Sequence, residues 1–170
     1  MTNELIFKEK AFELEVLIEV EKVDDEIKKH LQKLPNVFSS FIKEELKQDT
    51  SGHLALTICH SDKIRAINSE HRNKDKVTDV LSFPLQESVR NGVVDVFSSQ
   101  IELGDILICY EVAKKQADEF KISIAEEISH LAIHGFLHLC GFDHEISKQE
   151  EELMEKHEAL LLQKLSSDLK

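Results

Sequence analysis

The sequence has no long apolar run, few cysteines and no excess of positive charge. No segment approaches the roughly 20 apolar residues that a helix needs to span a bilayer. The N-terminal segment MTNELIFKEK is mixed and charged, without the apolar core of a secretory signal peptide. These absences argue against a membrane protein and predict a cytoplasmic location.

Cysteine is too scarce and too scattered for a disulfide framework. Cys59, Cys109 and Cys140 show no paired spacing, and each lies in an apolar stretch. The pattern predicts buried, reduced thiols, which is typical of a cytosolic protein.

Acidic residues outnumber basic ones, with 33 aspartates and glutamates against 21 lysines and arginines, and the formal net charge is −12. This balance excludes broad, nonspecific attraction to nucleic acids or anionic membranes, so a polyanionic partner would need a local basic surface. Internal repeats, low-complexity segments and linkers are also missing. We therefore expect one domain over residues 1–170, long enough to bury an ordinary core.

The spacing of apolar residues predicts an α+β fold, with one mixed β-sheet of about four strands packed with helices. The predicted strands cover 12–20, 53–60, 80–84 and the segment DILICY after Gly104. The predicted helices run from Asp24 to a break or kink at Pro35, from there to about Gln48, from Ser61 to about His71, and over 111–120. Because strand 80–84 stops at a proline, we expect it at an edge of the sheet.

A last helix is predicted from Ser147, where Glu150 would complete a capping box. Its inward face is expected to hold Leu153, His157, Leu160, Leu161 and Leu165.

The helix that begins after Ser123 is apolar around most of its circumference, which is typical of a central buried helix. Ser123 and Glu126 form a predicted capping box at its start. One polar stripe interrupts the apolar surface and consists of Glu126, Glu127, His130, His134 and His138. Because unpaired polar groups are costly to bury, the stripe predicts a metal ion with supporting side chains on this helix.

The segment HGFLHLCGFDH, residues 134–144, has the spacing of a metal site. His134 and His138 are one helical turn apart and share a face. Gly141 can end the helix in a left-handed turn, after which His144 can return to the same ion. Three neutral imidazoles leave an open position on a tetrahedral zinc, as in catalytic sites. We predict one Zn²⁺ held by these histidines, in preference to three core histidines with separate hydrogen-bond partners.

A purely structural zinc would need a fourth protein ligand. Cys140 is predicted to point to nearly the opposite side of the helix from the histidines. Asp143 could either bind the ion or orient a ligand histidine. His130 either belongs to the site or supports it from outside. The sequence leaves the roles of Asp143 and His130 open. Glu126 and Glu127 are more readily interpreted as charges that support the metal site or favour the start of the helix than as catalytic bases.

The same histidine spacing occurs in the metzincin proteases, whose pattern is HExxHxxGxxH. Their general base is the glutamate after the first histidine, a position that Gly135 occupies in this chain. A protease would therefore need a glutamate from elsewhere, and the sequence disfavours that function.

A second informative segment is HRNKDKVTDVLSFP, residues 71–84. Basic residues are concentrated in and just before it, namely Lys63, Arg65, Arg72, Lys74 and Lys76. A solvated loop would account for this composition. A guanidinium near an open zinc site also suits a phosphodiester, because its planar fork pairs with two phosphate oxygens. Arg72, predicted at the end of a helix, is our candidate for that role.

Three segments together resemble the signature of the YbeY family: HGFLHLCGFDH at 134–144, TDVLSFP at 78–84 and LGDILIC at 103–109. The resemblance covers residues 50–150, while residues 1–45 and 151–170 carry little of it. Phe142 and His71 stand where the family commonly has tyrosine, and neither change removes a ligand.

The resemblance implies a zinc-dependent, single-strand-specific endoribonuclease that acts in ribosomal RNA processing, including 16S rRNA 3′ end maturation, and in ribosome quality control. His134, His138 and His144 correspond to the ligands of one zinc ion. Arg72 corresponds to the arginine important for activity or RNA contact. Expected partners are single-stranded RNA, rRNA precursors and ribosomal subunit proteins or assembly factors, without DNA or membrane. The alternatives are a zinc metalloprotease-like hydrolase and a non-catalytic ribosome-assembly factor with a structural zinc.

Overall fold

A computed structural model describes residues 2–9, 11–94 and 100–170. The strands are β1 (Asn3–Glu9), β2 (Phe12–Ile18), β3 (Ser51–Cys59), β4 (Val80–Pro84) and β5 (Gln100–Cys109). The helices are α1 (Asp25–Glu44), α2 (Ser61–Arg72), α3 (Tyr110–Phe120), α4 (Ile124–Leu139) and α5 (Lys148–Leu169), and a 3-10 turn lies at Val89–Asn91. Across these described ranges, we find no helix with both the length and the apolarity to cross a membrane.

The strands form one mixed sheet in the order β1-β2-β3-β5-β4. β2, β3 and β5 are parallel, while β1 and β4 pair antiparallel at the two edges. The predicted α+β fold with a mixed sheet is therefore confirmed, as is the edge position of strand 80–84. The additional strand is β1, whose side chains are mostly exposed, so its hydrophobic alternation is too weak to predict a strand.

The main core lies between one face of the sheet and helices α1, α4 and α5. At its centre the rings of Phe38 and Phe136 stack with centroids 4.0 Å apart, and Phe12 meets both edge-on. A smaller cluster around Ile64 and Leu107 packs α2 against the opposite face. α4 is thus the central buried helix that the sequence predicts.

α1 continues through Pro35 as one helix, so the predicted division into two helices at this residue is wrong. Leu31 and Leu34 before the proline, and Phe38 after it, are fully buried on one apolar face. Packing of that continuous face offsets the backbone hydrogen bond that proline cannot donate.

α5 begins after its predicted cap, Ser147, whose hydroxyl accepts a hydrogen bond from the Glu150 backbone N–H at 3.2 Å. The expected capping box is only half formed, because the Glu150 carboxylate pairs with Arg90 instead. Leu161 is buried as predicted, whereas Leu160 is 41% exposed. The inward face is therefore shifted from the predicted one, because Met154 is buried and Leu162 packs against the core.

Gly104 allows the edge strand β4 to lie close against β5. Its φ of +133° favours glycine, and a Cβ at this position would lie 2.1 Å from the carbonyl oxygen of Phe83. The pairing of β3 with β5 shifts register at the same level, between His53 and Leu54, as in a β-bulge. The close pairing fixes the position of Ser82 and Phe83, which contact the end of α2.

Candidate metal centre

α4 places the polar stripe of the sequence along a buried helix. Its predicted capping box is confirmed: the Ser123 hydroxyl accepts from the Glu126 N–H at 3.1 Å, and the Glu126 carboxylate accepts from the Ser123 N–H at 2.7 Å. Farther along, His130, His134 and His138 are half-buried and line one groove. The helix therefore presents imidazoles to this groove at three successive turns.

His134 and His138 face each other one turn apart. Their Nε2 atoms are separated by 3.1 Å, and their ring centroids by 4.7 Å. A tetrahedral zinc with Zn–N distances of about 2.0–2.1 Å holds two ligand nitrogens about 3.3 Å apart. The observed separation is therefore close to that of two ligands of a single ion.

The chain turns back after α4 through a Schellman motif. The Gly141 N–H donates to the carbonyl of His138 at 3.0 Å, and the Phe142 N–H donates to the carbonyl of Leu137 at 3.1 Å. Gly141 has a φ of +101°, so the predicted left-handed turn at this glycine is confirmed.

This turn brings His144 to the two helical histidines. Its ring centroid lies 5.3 Å from that of His134 and 5.2 Å from that of His138. Asp143 shapes the loop, because its Oδ1 accepts a hydrogen bond from the Glu145 N–H at 2.9 Å. In the described part of the chain, the group of clustered ligand atoms does not include Asp143, which favours a supporting role over a ligand role.

The three histidines fit a zinc ion chemically. One nitrogen from each lies within 4.8 Å of the other two. Burial, followed by the neighbouring His134 and His144, lowers the pKa of His138 to about 4, so its ring is neutral and can donate a lone pair at neutral pH. If the three were instead ordinary core histidines, each ring would need its own hydrogen-bond partner. Nδ1 of His144 is buried and has none among the described residues, which disfavours that alternative.

Glu158 on α5 orients the first histidine. Its Oε1 accepts a hydrogen bond from Nδ1 of His134, which leaves the Nε2 lone pair to face His138. Burial opposes the charge on Glu158, but hydrogen bonding to His130 and His134 holds the pKa of its carboxyl at about 2. Carboxylates commonly support zinc-binding histidines in this way. Sequence reasoning missed Glu158, because no local spacing indicates which residue of α5 meets α4.

His130 belongs to an ion-pair network instead of the three-histidine group. Its Nδ1 lies 3.7 Å from Oε2 of Glu127, and its Nε2 lies 3.6 Å from Oε2 of Glu158. The two carboxylates raise the pKa of His130 to about 10, so the ring is a cation at neutral pH and is unsuited to bind a metal. Of the two roles left open by the sequence, the supporting role is therefore the one favoured for His130.

Gly135 and Cys140 both face away from the histidines. A Cβ at Gly135 would lie 2.9 Å from Cγ2 of Ile106 on β5, so a metzincin-like glutamate at this position would meet the sheet. Cys140 is fully buried in the core, and burial raises the pKa of its thiol. In this structure Gly135 supplies no base and Cys140 no ligand.

Arg72, the last residue of α2, reaches β4. Its Nη2 donates to the carbonyl of Ser82 at 2.9 Å, and its guanidinium carbon lies 5.8 Å from the ring centroid of Phe83. That hydrogen bond uses one of the five N–H groups of a guanidinium. Arg72 lines the same groove, of about 920 Å³, as the three histidines.

The structure separates the five basic residues of this segment into two sets. Lys74 and Lys76 line the groove together with the arginine that ends α2. Arg65 instead forms a forked pair with Asp75, at 2.8 and 3.1 Å, and Lys63 pairs with a carboxylate just after β2. The groove therefore receives three of the five basic side chains that the sequence places in this segment.

Known proteins resemble this chain over most of its length. A family model described as endoribonuclease YbeY matches residues 17–166. The protein named endoribonuclease YbeY from Staphylococcus carnosus is 40% identical over 76% of this chain and 83% of its own. The one from Bacillus subtilis is 35% identical over 87% and 92%. A solution structure from Thermotoga maritima, 24% identical, shares the fold with a TM-score of 0.60 over 91% of this chain and 90% of that one.

Proposed function

Because the chain belongs to the YbeY endoribonuclease family, we propose that it is a zinc-dependent endoribonuclease that cleaves single-stranded RNA during ribosomal RNA processing. Residues 1–170 would form one metal-dependent hydrolase domain. The observation that carries the proposal is the convergence of His134, His138 and His144 in one groove with Arg72.

Three imidazoles with room for a further ligand suit a catalytic zinc. When bound, zinc supplies Lewis-acid chemistry, since it acidifies water and polarises a phosphoryl oxygen. The protein's part is to keep the ligand nitrogens free and fixed in place. Burial keeps His138 neutral, and Glu158 fixes the tautomer of His134.

Arg72 would hold the phosphate of the substrate. Its contacts with Ser82 and Phe83 keep the guanidinium on the wall of the groove. The guanidinium fork can pair with two phosphate oxygens, and its charge offsets the negative charge that develops during phosphodiester cleavage. Lys74 and Lys76 line the same groove and extend its positive charge.

Charge is divided unevenly within the groove. The arginine and lysines come from the α2–β4 segment, which also contributes one carboxylate, Asp79, whereas α5 contributes Glu151, Glu155 and Glu158. We expect an RNA backbone to follow the α2–β4 segment and to be repelled by α5. This one-sided surface supplies the local positive charge that a chain of net charge −12 needs to bind RNA.

An exposed aromatic ring supports the preference for single strands. Phe120, the last residue of α3, is 60% exposed and lines the groove. An unpaired base can stack on such a ring, which contributes about 1–3 kcal/mol per base. Bases within a duplex are already stacked and cannot do so. Phe120 would therefore favour an unpaired strand over a duplex.

The family resemblance extends the proposal to 16S rRNA 3′ end maturation and ribosome quality control in the cytoplasm. An acidic protein with a local basic surface gains affinity for ribosomal RNA if protein contacts assist it. We therefore propose rRNA precursors, together with ribosomal subunit proteins or assembly factors, as partners, and we do not expect DNA to be a substrate.

The two alternative functions have less support. A metalloprotease-like hydrolase would lack its usual base, because position 135 faces Ile106. A non-catalytic assembly factor with a structural zinc would need a fourth protein ligand, and no cysteine or carboxylate joins the histidine group within the described ranges.

Zinc content and RNA cleavage, measured on the same variants, test the proposal. His138→Ala should lose zinc and cleavage together. Arg72→Gln should retain zinc and lose cleavage by about 100-fold or more, the magnitude typical of a lost transition-state contact. Arg65→Gln is the matched control, because Arg65 is paired with Asp75, and it should retain both properties.

The substrates are an unstructured RNA oligonucleotide, the same RNA annealed to its complement, and an unstructured peptide. We expect zinc-dependent cleavage of the single-stranded RNA alone. Zinc-dependent peptide cleavage with inert RNA would select the protease alternative. Undiminished RNA cleavage by metal-free protein, or by Arg72→Gln, would refute the proposal.

A further inference from the structure

Arg90, on the 3-10 turn, contacts the loop that carries His144 at three points. Its backbone N–H donates to the carbonyl of Cys140 at 2.9 Å. Its Nη1 and Nη2 donate to the two carboxylate oxygens of Glu150 at 2.6 and 3.1 Å. Its guanidinium carbon lies 4.9 Å from the ring centroid of Phe142. One residue from outside the loop thus holds both of its ends.

The contacts bracket the third histidine of the metal centre. Phe142 precedes His144 by two residues, and Glu150 follows it in the first turn of α5. The spacing of His134 and His138 is fixed by the α4 backbone instead of by a loop. His144 depends on the course of the loop, so contacts that order the loop act selectively on this ligand.

The anchor for the loop is itself fixed in the core. Val89, next to Arg90, is fully buried. Oγ of Ser88 lies 3.3 Å from the position that a Cβ of Gly141 would occupy, so the turn packs directly on the end of α4. Phe142 is buried, and its ring centroid lies 6.3 Å from that of Phe41. The arginine therefore joins two ordered parts of the protein.

The fork between Arg90 and Glu150 differs from an ordinary surface ion pair. The two side chains are only 22% and 23% exposed, so water screens the pair less than a fully exposed one. Two parallel charge-assisted hydrogen bonds also fix the relative orientation of the groups. The aromatic face of Phe142 adds a cation–π contact on the same guanidinium.

We propose that Arg90 is a positioning residue that sets the third zinc ligand, His144, through Phe142 and Glu150. This inference rests on the zinc site of the proposed function. Arg90 does not line the groove that holds the three histidines. Without it, the loop must be ordered when zinc binds, and the entropic cost of ordering its backbone weakens zinc binding. Loss of such support typically lowers metal affinity by about 10–100-fold.

Zinc affinity of the full-length, folded protein tests the inference, measured by competition with a chromophoric chelator. Arg90→Ala should weaken zinc binding by about 10–100-fold. Arg90→Lys retains the charge but loses the planar fork, so its affinity should be intermediate. Glu150→Gln removes the partner carboxylate, should also weaken binding, and provides the answer if Arg90→Ala does not fold.

Arg65→Ala is the matched control, because it breaks a second arginine–carboxylate fork, with Asp75, that does not touch the loop. It should leave the zinc affinity unchanged. If Arg90 had only a structural role, Arg90→Ala would lower the unfolding temperature of the metal-free protein without changing the dissociation constant for zinc of the folded protein.

Wild-type zinc affinity in the folded Arg90→Ala variant would overturn the inference while leaving the proposed function intact. If Arg90→Ala does not fold, wild-type affinity in Glu150→Gln would overturn it equally. Equal weakening by Arg65→Ala would overturn it as well, because the effect would then not depend on the loop. Absence of zinc binding by the wild-type protein would instead refute the zinc site on which both conclusions rest.

Discussion

Replacing Glu158 by glutamine should weaken zinc binding while all three histidines remain. The Glu158 carboxylate accepts the hydrogen bond from Nδ1 of His134, and that bond directs Nε2 towards His138, 3.1 Å away. The side chain of Glu158 is only 16% exposed, so solvent cannot readily replace the contact. Glutamine has nearly the same shape and can still offer an oxygen to Nδ1, so the substitution mainly removes charge.

The expected magnitude follows from that lost charge. Charge-assisted hydrogen bonds are about twice as strong as neutral ones, and loss of a carboxylate behind a ligand histidine typically weakens metal binding by about 10–100-fold. This corresponds to about 1.4–2.7 kcal/mol of binding free energy. Glu158→Ala should cost more, because it also leaves His134 Nδ1 without its partner.

Zinc titration against a chelator of known affinity measures the effect. Glu155→Gln is the control, since Glu155 lies on the same helix and lines the same groove and the His134 hydrogen bond goes to Glu158. The control should bind zinc like the wild-type protein. If both variants lost affinity equally, the cause would be the general negative charge of α5. An unchanged affinity in Glu158→Gln would refute the orienting role.

Three further predictions concern other parts of the molecule. Gly135→Ala should destabilise the protein by about 1–3 kcal/mol, because the new Cβ would lie 2.9 Å from Cγ2 of Ile106. Chemical denaturation measures this change, and an unchanged denaturation midpoint would contradict the tight packing of α4 on β5. Phe120→Ala should weaken single-stranded RNA binding by about 1–3 kcal/mol in an anisotropy titration while zinc affinity stays the same, and unchanged RNA affinity would exclude stacking. The pKa of His60 should lie above its ordinary value, because its Nδ1 hydrogen-bonds the Glu111 carboxylate at 2.6 Å. Glu111→Gln should return that pKa towards 6.5 in an NMR titration. Since the folded-state pKa is raised, the stabilisation from His60 protonation is fully present below pH 6.5 and disappears as the pH rises through the raised pKa. If Glu111→Gln left the pKa of His60 unchanged, the Glu111 carboxylate would not be the cause of the raised value.

The helical half of the metal centre could be predicted from the sequence because local geometry determines it. Residues four apart on a helix share a face whatever the rest of the fold does, so His134 and His138 meet as expected. Gly141 is similarly local, since the positive φ of the turn strongly favours glycine. The return of His144 was predictable from its short distance along the chain after that turn.

The supporting residues could not be predicted, because they depend on how distant elements pack. Glu158 meets His134 only because α5 docks against α4. Glu150 shows how tertiary structure overrides a local rule: its spacing from Ser147 predicts a capping box, yet its carboxylate binds Arg90. A guanidinium offers the carboxylate two hydrogen bonds in which both partners are charged, whereas the backbone N–H of a cap offers one bond from a neutral donor.

The same distinction explains the errors in the predicted fold. Pro35 breaks an isolated helix, but burial of Leu31, Leu34 and Phe38 on one face keeps α1 continuous. β1 has a weak apolar pattern of its own and is defined by its pairing with β2, from Asn3 opposite Ile18 to Glu9 opposite Phe12. In both cases contacts with other elements decide the structure: the packing of α1 in the core and the pairing of β1 with β2.

The two supports of the metal centre share one element, α5. Glu158 lies in the middle of that helix and orients His134, while Glu150 lies in its first turn and, through Arg90, holds the loop that carries His144. A shift of α5 would therefore disturb two of the three ligands, although none of them belongs to it. Because linkage between two equilibria is reciprocal, an ion that binds only the ordered histidines must in turn stabilise the docking of α5. At the proposed zinc site, ion binding and the packing of α5 against α4 would therefore form one coupled equilibrium, in which α4 and the loop after it would supply the ligands and α5 would hold two of them in place.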